Sequence, residues 1–213
     1  MIGMPDHFSV FIAIGAIVSC SFWDVWANTT TFVSDIEGEK TINYFLTLPM
    51  PNVLVLIKQV ISYALKAGIP TLIILPLGKL FLWNRMNLSN FSMLKFALFY
   101  VLINIFTGAF SLFITSCIKD LHHMAKVNMR FLFPLWFFGG TNYSWQMLNK
   151  LSPTISYCSL LNPLIYAMEG IRAAVLGQTG YLPYWICVLA LTSFTVMFGW
   201  LGIARLKKRL DFV

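Results

Sequence analysis

Long apolar runs dominate this chain, and they decide the solvent in which it folds. Such runs lie near residues 8–34, 55–82, 93–117, 128–143 and 182–204, with a further interrupted stretch over 145–176. A helix of about 20 mostly apolar residues crosses the ~30 Å hydrocarbon core of a bilayer, so each run is read as a transmembrane helix. Composition agrees: 58% of residues are hydrophobic and 11% charged, with mean hydropathy +0.75, too little charge for a water-facing surface. The expected fold class is all-α, a polytopic transmembrane helix bundle. It has about five spans, plus outer re-entrant helices before the last, in a single domain over 1–213.

The first run lacks a basic leader, carries Asp24 and shows no small-residue cleavage pattern before Asp35. It therefore reads as a permanent span rather than a signal peptide. The net charge of +7 is informative through its placement, since Lys and Arg gather on the cytoplasmic side. With the tail Arg205, Lys207, Lys208 and Arg209 inside, the inner side also receives Lys40, Lys119, Lys126 and Arg130. The outer side then holds Lys79, Arg85, Lys95, Lys150 and Arg172, while Lys58 and Lys66 snorkel inward. This distribution predicts a cytoplasmic C-terminus and gives no case for nucleic acid. Five spans then place Met1 outside, which predicts a further N-terminal segment.

Cys20, Cys117, Cys158 and Cys187 sit singly, without the spacing of metal or redox sites, and read as small core residues. His122 and His123 adjoin Asp120, but neighbours on a helix point about 100° apart, so no metal site is expected. N-x-S/T triplets begin at Asn28, Asn87, Asn90 and Asn142, and these arise often by chance.

Ser21, Asp24, Asn28, Thr31 and Asp35 recur at helical spacing on one face of the first span. A charge inside a span costs several kcal/mol unless it faces a bundle interior or water. Asp24 and Asn28 are thus candidates for a pathway or a subunit interface, a structural hydrogen bond being the alternative. Residues 35–49 read as a short amphipathic helix, with Asp35, Glu37 and Glu39 at its start and Ile42, Phe45 and Leu46 on its apolar edge. Gly68, Pro70 and Pro76 predict a kink in the second span. Asn104, Thr107, Gly108, Ser111 and Thr115 predict close helix packing in the third. From Leu151 to Leu176 the chain is broken by Pro153, Asn162-Pro163 and Glu169-Gly170, with Arg172 three residues after Glu169. It reads as re-entrant or interfacial helices rather than a sixth span.

The order of these pieces resembles the type 2 ABC transporter permeases. A span is followed by a segment ending Leu46-Thr47-Leu48-Pro49. Paired helices come next, then Asn162-Pro163-Leu164-Ile165-Tyr166 leading to Glu169-Gly170-Ile171-Arg172 and Leu176-Gly177, a last span and a basic tail. The chain starts at what would be the family's second span. The resemblance implies a permease subunit of an ATP-driven exporter of lipid-like, polysaccharide or drug-like cargo in a cell membrane such as the bacterial inner membrane. Its implied partners are a cytoplasmic ABC ATPase subunit, a second permease copy in a homodimer, and membrane lipids. By the same resemblance Glu37, Glu39, Ile42, Phe45 and Leu46 couple to the ATPase, and residues 145–176, with Asn162, Pro163, Glu169 and Arg172, form an outer gate.

No cofactor is expected on this chain, with ATP and Mg on the partner. The sequence Pro76-Leu-Gly78-Lys79-Leu80 lacks the first glycine and the hydroxyl of a phosphate loop. Asn162-Pro163-Leu164-Ile165-Tyr166 also fits the N-P-x-x-Y signature of seven-helix receptors, but a complete span follows it here. A secondary transporter or a membrane-embedded enzyme is the alternative reading, although no internal repeat is visible and the spans offer few paired catalytic groups.

Overall fold

The computed structural model describes residues 7–38, 42, 49, 51–81, 91–118 and 120–210. All the regular structure among them is helical. Helices α1 (His7–Glu37), α2 (Asn52–Leu72), α3 (Ile74–Phe81) and α4 (Met93–Cys117) are followed by α5 (Leu121–Val127). A π-helical turn, Asn128–Leu132, joins α5 to α6 (Phe133–Phe137). Then come α7 (Trp145–Leu151), α8 (Pro153–Ser159), α9 (Pro163–Leu176) and α10 (Tyr184–Leu210).

Among the described residues, four segments form helices long and apolar enough to cross a membrane: Val10–Ile36, Val53–Gly78, Met93–Cys117 and Tyr184–Lys208. The fifth expected span, 128–143, is formed further back along the chain than expected and is shorter than those four. Its helical part stops at Phe137, and Gly139 and Gly140 belong to a turn. Joined to α5, the helical run from Leu121 to Phe137 rises ~25 Å at 1.5 Å per residue, and it carries the chain from the Phe110 level of α4, beside Phe131, past Ser19 of α1, beside Trp136, toward the end where α10 starts. The interrupted region forms no sixth span: α7, α8 and α9 are each too short to cross.

The kink in the second span is a true break. The helix stops at Leu72, and Ile73 is a turn before α3 resumes. Pro76 has no amide to give the Leu72 carbonyl, which is where the ladder fails.

Helix α4 is the central post and packs against α10, α2, α1 and α9. Phe99, Ile103, Phe106 and Phe110 on α4 are fully buried with Ile14, Ile17 and Phe22 of α1. At one end of the bundle the starts of α1, α4 and α10 gather under α9. At the other, Phe32, Leu56, Leu112 and Leu206 form a second cluster. Helices α1, α4 and α10 therefore run one way and α2 the other. The α2–α4 crossing is close at Gly108, where a Cβ would lie 2.4 Å from the Val60 carbonyl oxygen.

A polar knot ties α1, α2 and α4 together in mid-bundle. The Ser21 hydroxyl donates to Asn104 Oδ1 at 3.2 Å, and Asn104 Nδ2 donates to the Tyr100 carbonyl at 2.8 Å. The Thr71 and Tyr100 hydroxyls lie 2.8 Å apart, and Tyr100 also bonds the Gly68 carbonyl. Bonds of this kind between membrane helices average about 0.6 kcal/mol, with a maximum near 1.7. The near-isosteric Asn104→Leu should lower stability in a detergent unfolding titration by about that range, and an unchanged midpoint would show that the knot adds nothing to stability.

Candidate functional site

Helix α9 begins at a cap read correctly from sequence as a structural break. Asn162 Oδ1 accepts the Leu164 amide at 3.0 Å and Pro163 occupies the first helical position, where its missing N–H costs nothing. The other side of the Asn162 amide donates to the Leu135 carbonyl at 2.7 Å, fastening the cap to α6.

About two turns into α9 come two buried charges. Glu169 is 1% exposed and Arg172 fully enclosed. Each directs its charge at main chain from other segments. Arg172 Nη1 donates to the Gly140 carbonyl at 2.7 Å and to that of Tyr143 at 3.3 Å, and Nη2 donates to that of Thr141 at 2.7 Å. Its guanidinium lies 3.5 Å from the centre of the Phe11 ring on α1, a cation–π contact. Glu169 Oε1 accepts the Trp145 amide and Oε2 the Leu182 amide, both at 3.0 Å.

Both oxygens accept from amides, an arrangement that favours the carboxylate anion. Burial pushes Glu169 upward, against the pull of the two amides and of Arg172. Burial also brings Arg172 down to about 10, which leaves it protonated at neutral pH. The pair thus staples the 140–145 loop and the approach to α10 onto one helix.

The glycine and aromatic segment 138–145 reads from sequence as the arrival at an interface, and nothing there marks its residues as partners of Glu169 and Arg172. Trp145 contributes its backbone amide and also donates its indole N–H to the Ser156 carbonyl at 2.9 Å, closing the α7–α8 hairpin. Gln178 accepts the Tyr184 amide at 3.1 Å and donates to the Leu182 carbonyl at 2.7 Å, so it caps α10 and shapes the loop that Glu169 holds.

The polar face expected on α1 divides in two. Ser21 and Asn28 turn inward, with Asn28 5% exposed and its Nδ2 without a partner among the described residues. Asp24 is half-buried and Thr31 exposed. The open side of the helix carries Cys20, Asp24, Ala27, Thr31 and Ser34, all small except the carboxylate. Asp24 and Asn28 are neighbours along α1, but only Asp24 borders the surface.

At the opposite end of the bundle, Asp35 and Glu37 are not the first turn of a separate helix. Helix α1 continues through Glu37, and Asp35 Oδ2 accepts the Ile42 amide at 2.9 Å. Ile42 is 4% exposed and packs with Phe32, Leu56 and Leu206. Glu39, Phe45 and Leu46 lie outside the described residues. Asp120, beside the two histidines, caps α5 by accepting the His123 amide at 3.0 Å, and its bonds from His123 hold its carboxyl below the usual range.

A family model described as ABC-2 type transporter matches residues 3–176. No curated protein matches the chain, and no solved structure does.

Proposed function

The chain belongs to the ABC-2 type transporter family and is a multi-pass membrane permease component of an ABC transporter; from that premise we propose that it works as an exporter subunit, paired with a second copy of itself and driven by a separate cytoplasmic ATPase. The family match over residues 3–176 carries this reading. ATP and Mg2+ are assigned to the partner, and the aromatic-rich, weakly charged interior favours amphipathic or lipid-linked cargo over small ions.

The coupling role is assigned to the segment from Glu37 through Glu39, Ile42, Phe45 and Leu46. The support is Ile42: it is tethered to Asp35 and sits in the cluster that joins α1, α2, α4 and α10. A displacement of this segment would therefore act on all four long helices at once. The half-buried Asp24 on the small-residue strip of α1 supports a face that meets the second copy or the pathway, with Asn28 just inside it. The Glu169–Arg172 staple and its Asn162-Pro163 cap are assigned to the outer gate, with the basic tail of α10 cytoplasmic.

Purification of the tagged protein from its native membrane in mild detergent, followed by mass spectrometry, tests this. A stoichiometric soluble ATPase with a phosphate loop is the expected companion. Its repeated absence, under conditions that preserve other complexes, would move the reading to a secondary transporter.

A further inference from the structure

An open groove of about 620 Å³ runs between the 130–138 stretch and the α7–α8 hairpin, a volume within the range of sites for drug-sized ligands. Phe131 and Phe137 wall one side, Leu148 and Ile155 the other, and Arg130 stands at the start of the helical wall. From Arg130 to Phe138 the helix extends ~12 Å.

The polar groups of the lining are nearly all spent. The Tyr143 hydroxyl donates to the Phe138 carbonyl at 2.9 Å and Ser159 to the Ser156 carbonyl at 2.7 Å. Asn162 is used at both ends of its amide, and the Cys158 thiol is only a weak donor. Arg130 differs, because it is exposed and its guanidinium has no hydrogen bond or ion pair among the described residues. The groove is therefore hydrocarbon in character, and among the described residues Arg130 is the cation at its edge.

Three observations indicate what covers it. The flanking surface is apolar, with Phe138 59% and Leu161 81% exposed, as suits contact with lipid. The groove also lies on the far side of α6 from α1, since Trp136, which is not in the lining, donates to Ser19 of α1 at 3.1 Å. It is thus separate from the Asp24 strip assigned to the second copy. Finally, Arg130 sits within the π turn Asn128–Leu132, whose Asn128 Oδ1 is buried without a partner. Such turns are rare and frequently lie at functional sites.

We propose that this groove binds one acidic glycerophospholipid of the surrounding membrane, an acyl chain lying along Phe131, Phe137, Leu148 and Ile155 and the phosphate on Arg130. Phe131, next to Arg130, packs its ring 6.4 Å from that of Phe110, in the half of α4 nearer Cys117 and Arg205, so the lipid is assigned to the leaflet on the side of the basic tail. The site is independent of the transported cargo and does not depend on the ATPase assignment.

Native mass spectrometry of the purified protein, titrated with phosphatidylglycerol or phosphatidylcholine of identical acyl chains, tests it. One phosphatidylglycerol per chain should be retained about fivefold more tightly than phosphatidylcholine, the effect of one interfacial basic residue. Arg130→Gln should abolish that preference and Arg130→Lys should keep most of it. Ile155→Trp, which fills the groove, should weaken both lipids while leaving the melting temperature in detergent near that of the parent. Equal retention of the two lipids by the parent, or an undiminished preference in Arg130→Gln, would overturn the proposal. So would conversion of a dimer to a monomer by Ile155→Trp, which would make the groove a contact between copies.

Discussion

Replacing Arg172 by methionine should cost about 3–5 kcal/mol, the usual consequence of deleting one member of a buried set of charges. Three carbonyls, of Gly140, Thr141 and Tyr143, lose their donors together, and Glu169 is left as a buried anion without its nearby cation. For a chain of this size the midpoint of thermal unfolding in detergent should fall by the order of 10 °C. Methionine fills much of the same volume, so a cavity is not the cause. Arg172→Lys should recover only part of the loss, because an ammonium cannot reproduce the fork that reaches carbonyls on both Nη atoms. Glu169→Gln should be milder, about 1–3 kcal/mol, since one acceptor remains for the amides of Trp145 and Leu182. If Arg172→Met melts with the parent protein, the staple does not hold the cap.

The second large effect is expected at Gly170, between the two charges. A Cβ there would lie 2.0 Å from Cζ of Phe99, a ring that is fully buried and packed 5.6 Å from the Tyr184 ring. Neither the ring nor the α9 backbone can yield without disturbing the other, so Gly170→Val should cost about 3 kcal/mol or more, the upper part of the range for overpacking. The damage should also be conditional. In a Phe99→Leu background the same substitution should cost markedly less, giving a large coupling energy in a double-mutant cycle. Additive effects would mean that α9 and α4 are not in the contact described.

The membrane class and the long helices were legible because lipid imposes a simple length and polarity rule on each span. Gly68, Pro70 and Pro76 announced an interruption of the second span, and the structure puts it at Ile73, where Pro76 lacks the amide. The cap at Asn162-Pro163 was visible as a helix boundary. The 128–143 run was overextended because its apolar residues continue past Phe137 into a glycine turn that hydropathy does not distinguish from helix. Periodicity placed Ser21, Asp24, Asn28 and Thr31 on one side of α1. It could not tell which edge of that side faces α2 and α4, and the knot at Asn104 and Thr71 is what turns Ser21 inward. Glu169 and Arg172 were visible in sequence as charges three residues apart. Their actual partners are peptide groups of residues 140–145 and 182, which every residue possesses and no residue type advertises.

That choice of partners bears on how this cap can diverge. A contact made to a peptide group is indifferent to the side chain that peptide carries. Thr141, Tyr143 and Leu182 can therefore be exchanged, as far as these bonds are concerned, while positions 169 and 172 cannot. Among homologous chains, paired substitution between α9 and the two loops should leave little trace. Inference of contacts from correlated sequence change would pass over some of the shortest bonds in the molecule and would rank the apolar contacts of α4 with α10 above them.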